Sequence, residues 1–203
     1  MKFLFKGKYF FYQKHIELSI LFVVRIIGGK CKGRRVTAPK SIKSRPTTDF
    51  AKEGLFNILC NMTSIEGKNV LDLFAGIGSI SFEFSSRNAA SVLSLDQQIK
   101  AVKFINTTAK KFSLNVTSKK YDVFKFLSLK ENPSYDIIFA DPPYNHKKVS
   151  TLPDLIFNSS LLIDNGILII EHGSENSFDN HPNLIDKRTY SRVHFSFFKH
   201  LNQ

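Results

Sequence analysis

Short apolar runs alternate along this chain with stretches whose apolar residues return at helical spacing. The runs Asn69 to Phe74, Ser91 to Asp96, Tyr135 to Ala140 and Gly166 to Glu171 read as buried strands. Between them lie a helix from Ser79 to about Arg87, a longer one from about Ile99 to Phe112, a weaker strand near Asn115 to Lys120, and a helix marked by Leu152, Leu155 and Ile156. Strand and helix taking turns predicts an α/β fold with a mostly parallel sheet. Leu184 to Tyr190 and Val193 to Lys199 alternate enough to close that sheet as two antiparallel strands.

Ahead of this domain, Ala51, Leu55, Ile58 and Leu59 predict an amphipathic helix over 49–60, capped by Thr or Asp. It should pack on the main domain and bring Arg45 to Asp49 near the functional face. Arg25-Ile26-Ile27 and Arg35-Val36-Thr37 flank a Gly- and Lys-rich segment and predict a small hairpin. Residues 1–23 form an extension of uncertain status: their longest apolar piece, Leu18 to Val24, is too short to span a bilayer and no small-residue cleavage site follows. Val24 can be encoded by GUG, which also initiates translation, so the native chain is expected to begin there; the intact mass of the native protein decides. The predicted organisation is 1–23 as that extension, 24–62 as a basic hairpin plus helix, and 63–203 as the main domain.

Charge sharpens this picture. Residues 1–52 hold 13 Lys/Arg against Glu17 and Asp49, whereas the remaining chain holds 16 against 15. A single-sign field beside a near-neutral domain is the footprint of a polyanion binder, and Lys30, Lys32, Arg34, Arg35 and Arg45 are the candidate phosphate contacts. Cys31 and Cys60 make neither a disulfide framework nor a metal pattern. A reducing cytoplasmic setting, no membrane and no metal are expected.

The candidate chemistry lies where the strands stop, because ligands of open α/β sheets sit at strand carboxyl ends. Asp141-Pro142-Pro143-Tyr144 closes the run Tyr135 to Ala140, since two prolines cannot continue a ladder. It offers one carboxylate, backbone carbonyls as free acceptors and one aromatic face, a set suited to a planar base with an exocyclic amine. Upstream, Asp72 precedes the loop Phe74-Ala75-Gly76-Ile77-Gly78, where glycines let a ligand approach backbone and Asp72 can meet a ligand amine. A nicotinamide fingerprint would place its third glycine at Ser81. Asp96, 20 residues past Gly76, sits where an acid reaches ribose hydroxyls. Asp122 is either a second adenine-pocket carboxylate or a helix cap. His146 to Lys148 are expected in a mobile loop.

Strand-Asp-x-x-Ala-Gly-x-Gly, strand-Asp, strand-Asp and strand-Asp-Pro-Pro-Tyr together resemble a class I S-adenosylmethionine-dependent methyltransferase of the amino-methylating kind. Arg25-Ile-Ile-Gly-Gly-Lys, Arg45-Pro-Thr-Thr-Asp49, Lys52-Glu53 and Leu55-Phe56-Asn57 resemble the RsmD family over residues 24–199. That resemblance implies a Rossmann-like, mostly parallel seven-stranded sheet and S-adenosylmethionine as cofactor, held by Asp72, Phe74, Ala75, Gly76, Gly78, Asp96, Gln97, Asp122 and Val123. It implies catalysis by Asp141, Pro142, Pro143 and Tyr144 on the exocyclic amine of a guanine in 16S ribosomal RNA, in the small subunit or its assembly intermediate. An adenine-N6 DNA enzyme and a non-catalytic RNA-binding assembly factor are the alternatives. Lys52 stands where the family more often has Arg, Cys31 where it often has Trp, and Ser191 where Gly is usual.

Overall fold

The computed structural model describes residues 22–42, 44, 47–129 and 133–200, so the expectations for residues 1–21 and for Arg45 lie outside the described residues. The hairpin pairs β1 (Phe22–Arg25) with β2 (Arg35–Ala38), Val24 opposite Val36. Its first strand ends earlier than the expected Arg25 to Ile27. Ile26 still bonds Arg34 and Gly33 across the hairpin, but the Ile27 N–H donates to Glu83 Oε1 at 2.8 Å, which draws the chain out of the ladder. Helix α1 (Asp49–Met62) begins where Thr48 Oγ1 accepts from the Ala51 N–H, and it buries Ala51, Leu55, Phe56 and Leu59.

The remaining elements follow the predicted alternation: β3 (Asn69–Leu73), α2 (Ser79–Ser86), β4 (Ser91–Asp96), α3 (Ile99–Phe112), β5 (Val116–Lys120), α4 (Val123–Leu127), β6 (Tyr135–Ala140), α5 (Leu152–Phe157), β7 (Leu162–His172), β8 (Leu184–Tyr190) and β9 (Val193–Phe198). They form one seven-stranded sheet ordered β5-β4-β3-β6-β7-β9-β8. The first five of these strands are parallel; β9 runs antiparallel to both β7 and β8. Strand β7 starts four residues before the expected Gly166, because Leu162 already pairs with Tyr135 ahead of a register shift.

Successive residues of β6 feed opposite faces, as strand geometry requires. Ile137 and Phe139 join α1, α2, α3 and the hairpin residues Ile26 and Val36 in one core cluster; Ile138 and Ala140 join α4 and α5 in the other. The N-terminal hairpin and helix thus share the main sheet's core. Among the described residues no helix is long and apolar enough to cross a membrane.

Ser191, in the turn between β8 and β9, holds φ 59°, a left-handed conformation that costs a non-glycine residue about 1–2 kcal/mol. Gly is usual there in the family that the sequence resembles. Ser191→Gly is therefore expected to raise stability by up to about 1 kcal/mol, partly offset by unfolded-state entropy, which thermal unfolding reads as a Tm increase of roughly 2–4 °C.

Candidate active site

Parallel pairing aligns the strand ends in one row. Leu73 is opposite Leu95 on one side and Ala140 on the other, and Ala140 is opposite Ile170. One residue further along each strand come Phe74, Asp96, Asp141 and Glu171, in the spatial order Asp96, Phe74, Asp141, Glu171. At about 4.8 Å per strand, roughly 10 Å of sheet separates the Asp96 backbone from that of Asp141. Within that span, the gap between β3 and β6 is where the strand order reverses, the usual crevice of an open α/β sheet. A cleft of about 880 Å³ opens over this row and takes in Asp96, Phe74, Asp141 and Glu171 together.

On the β3–β4 side, Gly76 (φ 56°) and Gly78 (φ 76°) occupy conformations that side chains disfavour. A Cβ on Gly76 would collide with Ser44 Oγ, so the loop also needs glycine for space. The Gly76 N–H donates to Asp96 Oδ2 at 2.8 Å and the Gln98 N–H to Oδ1 at 2.7 Å, which fixes the carboxylate at the cleft wall. Burial pushes the Asp96 carboxyl up, while these two backbone bonds pull it down. Phe74 sits at φ 64°, strain of a kind that concentrates at functional sites. Its ring meets Phe124 edge-on at 6.1 Å, and Phe124 stacks on His146 at 4.8 Å. Phe74, Gly76, Asp96, Gln97 and Val123 line the cleft. These residues suit a nucleoside: glycine backbone, a fixed acid for hydroxyls and aromatic edges for a base.

Asp72, Ala75, Gly78 and Asp122 are not on the cleft wall. Asp72 lies beneath it, fully buried, accepting from Ser81 Oγ, which in turn lies 2.6 Å from Ser94 Oγ. The position where a nicotinamide fingerprint wants glycine thus carries the hydroxyl that satisfies Asp72. Burial, opposed by the Ser81 bond, pushes Asp72 up to about 7. Ala75 is tied down by its N–H to Leu95 O and its carbonyl to the Gly78 N–H. Asp122 is a cap: Oδ1 accepts from the Lys125 N–H at 2.9 Å and Oδ2 from Gln97 Nε2 at 2.7 Å.

On the β6–β7 side, no described side chain donates to the Asp141 carboxylate. Burial first, then the charges of Glu171 and Asp72, hold its carboxyl well above the usual carboxylate range. The expectation of two free proline carbonyls is half correct: Pro143 O accepts the His146 N–H at 2.8 Å, closing a turn, while Pro142 O has no described donor. That turn and the ring stack on Phe124 set His146 at the start of the expected loop. Tyr144 is half-exposed at the rim, its OH donating to Glu171 Oε1 at 3.2 Å. Burial, then the neighbouring carboxylates, raise its hydroxyl above the usual phenol range.

Glu171, Thr47 and Phe124 line the cleft and were not singled out from the sequence as site residues; His146, expected only as part of a loop, joins them there. Glu171 carried the same signal as Asp96 and Asp141, an acid closing an apolar run. Thr47 brings the expected approach of the N-terminal segment to this face, its Oγ1 donating to Glu171 Oε2 at 2.9 Å. Lys30, Lys32, Arg34 and Arg35 are exposed on the hairpin, away from the cleft lining. Among the described residues no group of three or more His, Cys, Asp or Glu could hold a metal ion.

Comparison with known proteins agrees with this geometry. Residues 24–199 match the family model described as Conserved hypothetical protein 95. Ribosomal RNA small subunit methyltransferase D of Buchnera aphidicola subsp. Baizongia pistaciae is 32% identical over 184 residues, covering 88% of this chain and 93% of that protein. The protein of that name from Escherichia coli K12 is 32% identical over 161 residues, 78% of this chain and 79% of its own length. The solved structure of Escherichia coli yhhF superposes with a TM-score of 0.76 at 26% identity, over 90% of this chain and all of that one. With that family model spanning most of the sequence and such relatives matched nearly end to end, the chain belongs to the RsmD methyltransferase family.

Proposed function

We propose that this protein transfers the methyl group of S-adenosylmethionine to the exocyclic N2 amine of a guanine in bacterial small-subunit ribosomal RNA. The observation that carries the reading is the shared cleft: a nucleoside-sized slot at Gly76 and Asp96 opens directly onto a base-sized slot at Asp141 and Tyr144. The names of the relatives supply the ribosomal RNA.

The cofactor, when bound, supplies a methyl group on a cationic sulfonium. Asp96, Asp141 and Glu171 give the cleft an acidic floor, and a cation bound over it favours their ionised forms. A guanine amine is a poor nucleophile because its lone pair is delocalised into the ring. Asp141 and Pro142 O can accept its two N–H bonds, which localises the pair on nitrogen and aims it at the methyl group. Tyr144 supplies a face against which the base plane is held. As the N–C bond forms, the amine becomes cationic, and Asp141 is placed to take the released proton. Most of the acceleration is then positioning, with charge stabilisation at the amine. A paired base does not reach this slot, so the target is unpaired or flipped, at a cost of a few kcal/mol.

The basic hairpin supplies the sequence-independent grip. Replacing Lys30, Lys32, Arg34 and Arg35 by Ala is expected to weaken RNA binding and to flatten its salt dependence by roughly one unit of slope for each phosphate left unneutralised. Filter binding across a salt series reads both.

The function itself is tested by incubating the protein with labelled S-adenosylmethionine and small ribosomal subunits from a strain lacking the corresponding gene, then digesting to nucleosides. Label in N2-methylguanosine is expected. Label in N6-methyladenosine, with DNA as a better substrate, would favour the adenine alternative, and no label would favour a non-catalytic assembly factor.

A further inference from the structure

Glu171 is a buried carboxylate at the end of β7 whose two oxygens are divided between two chain segments. Oε1 accepts from the Tyr144 OH in the catalytic loop, and Oε2 accepts from Thr47 Oγ1 in the segment leading into α1. Register places it beside Asp141, one strand over. We propose that Glu171 is a positioning residue of the base slot, holding the Tyr144 ring plane, tying it to the 47–48 segment and setting a second negative charge against Asp141. The inference rests on the methyl-transfer reading of the cleft and adds to it a residue that acts through Tyr144 and Asp141.

The charged surroundings define the effect. Asp141 is faced by Glu171 from β7 and by Asp72 from β3, and Tyr144 by Glu171, Asp141 and Glu175. Among the described ion pairs, no Lys or Arg reaches Asp72, Asp141 or Glu171. Glu171 itself is pushed up to about 7, by burial against the pull of its two hydroxyl donors. Neighbouring carboxylates without a counter-cation make each other harder to ionise, so an ionised Glu171 makes Asp141 a stronger proton acceptor. Because the acceptor form of Asp141 is the ionised one, methyl transfer falls as pH drops through its pKa. Removing the Glu171 charge lowers that pKa and moves the acid limb to lower pH.

Glu171→Gln keeps an oxygen for Tyr144 and an amide for the Thr47 hydroxyl while removing the charge. The Asp141 carboxyl, followed by 13C NMR in the substrate-free protein and assigned by its loss in Asp141→Asn, is expected to titrate about one pH unit lower in Glu171→Gln. The acid limb of the methylation pH profile should move by the same amount. Tyr144→Phe, which keeps the ring but cuts the tie, is expected to lower kcat roughly tenfold when read at pH values above the acid limb. Superposable Asp141 titrations in Glu171→Gln and the unaltered protein would overturn the charge pairing, and an unchanged kcat in Tyr144→Phe would overturn the positioning role. If the unaltered protein methylated no RNA, the proposed function would fall, and the carboxyl titration, which needs no substrate, would still decide the pairing.

Discussion

Asp141→Ala is expected to abolish methyl transfer, with kcat falling at least ~10²-fold, while leaving S-adenosylmethionine binding within a few-fold of the unaltered protein. The asymmetry follows from the row of strand ends. Asp141 closes β6, two strands away from Asp96 and on the far side of Phe74, so its carboxylate contributes to the base slot and not to the fixed acid of the nucleoside slot. Asp141 is only partly buried, and the substitution removes one of several neighbouring carboxyls that disfavour each other's ionisation, so the fold should hold or gain slightly. Isothermal titration with the cofactor and single-turnover methylation of ribosomal particles measure the two halves separately. Loss of cofactor affinity in step with activity would remove Asp141 from the acceptor role.

Glu83→Ala carries the largest expected cost in stability, about 3–5 kcal/mol, because it leaves the buried Lys52 ammonium only the partly exposed Asp49 carboxylate as a counter-charge. Lys52 and Glu83 are both fully buried, with Nζ 3.2 Å from Glu83 Oε1 and 2.5 Å from the Arg25 carbonyl. Glu83 also accepts from the Ile27 N–H and pairs with Arg87. One side chain of α2 therefore holds the hairpin, α1 and its own helix end together. Thermal unfolding should shift down by roughly 10 °C, and the Ile27 amide should lose its hydrogen-exchange protection. With the latch gone, Lys30, Lys32, Arg34 and Arg35 on the hairpin lose their fixed placement and RNA affinity should fall as well. A Tm within about 2 °C of the unaltered protein would show that water or a rearranged Arg87 replaces the pair. Lys52 stands where the resembled family more often has Arg, and the structure shows why a compact ammonium serves: its partners converge on one point.

Much of this architecture was legible because the signals were local. The apolar runs Asn69 to Phe74, Ser91 to Asp96 and Tyr135 to Ala140 marked three strands, the first overshooting by the one residue, Phe74, that turns left-handed, and the Pro-Pro stop marked where β6 delivers Asp141. The 20-residue spacing from Gly76 to Asp96 became a direct hydrogen bond. What stayed hidden depends on partners far along the chain or on a competing local use of the same atoms. The Thr47–Glu171 bond spans 124 residues. Asp72 looked available for a ligand until Ser81, from α2 and itself bonded to Ser94 on β4, claimed it. Asp122 could cap or bind, and the cap prevailed because the α4 N-terminus begins one residue later. The hairpin's early end at Arg25 follows from Glu83, which no pattern within residues 25–37 reveals.

The shared row at the sheet rim also limits how this protein can vary. Side chains alternate along a strand, so a single residue inserted in or deleted from β6 ahead of Asp141 would turn its carboxylate to the opposite face and misalign it against Asp96 and Glu171. The segments entering the strands at the opposite rim carry no such constraint. Length changes among descendants should accumulate at that rim and spare the four strands that end in the row.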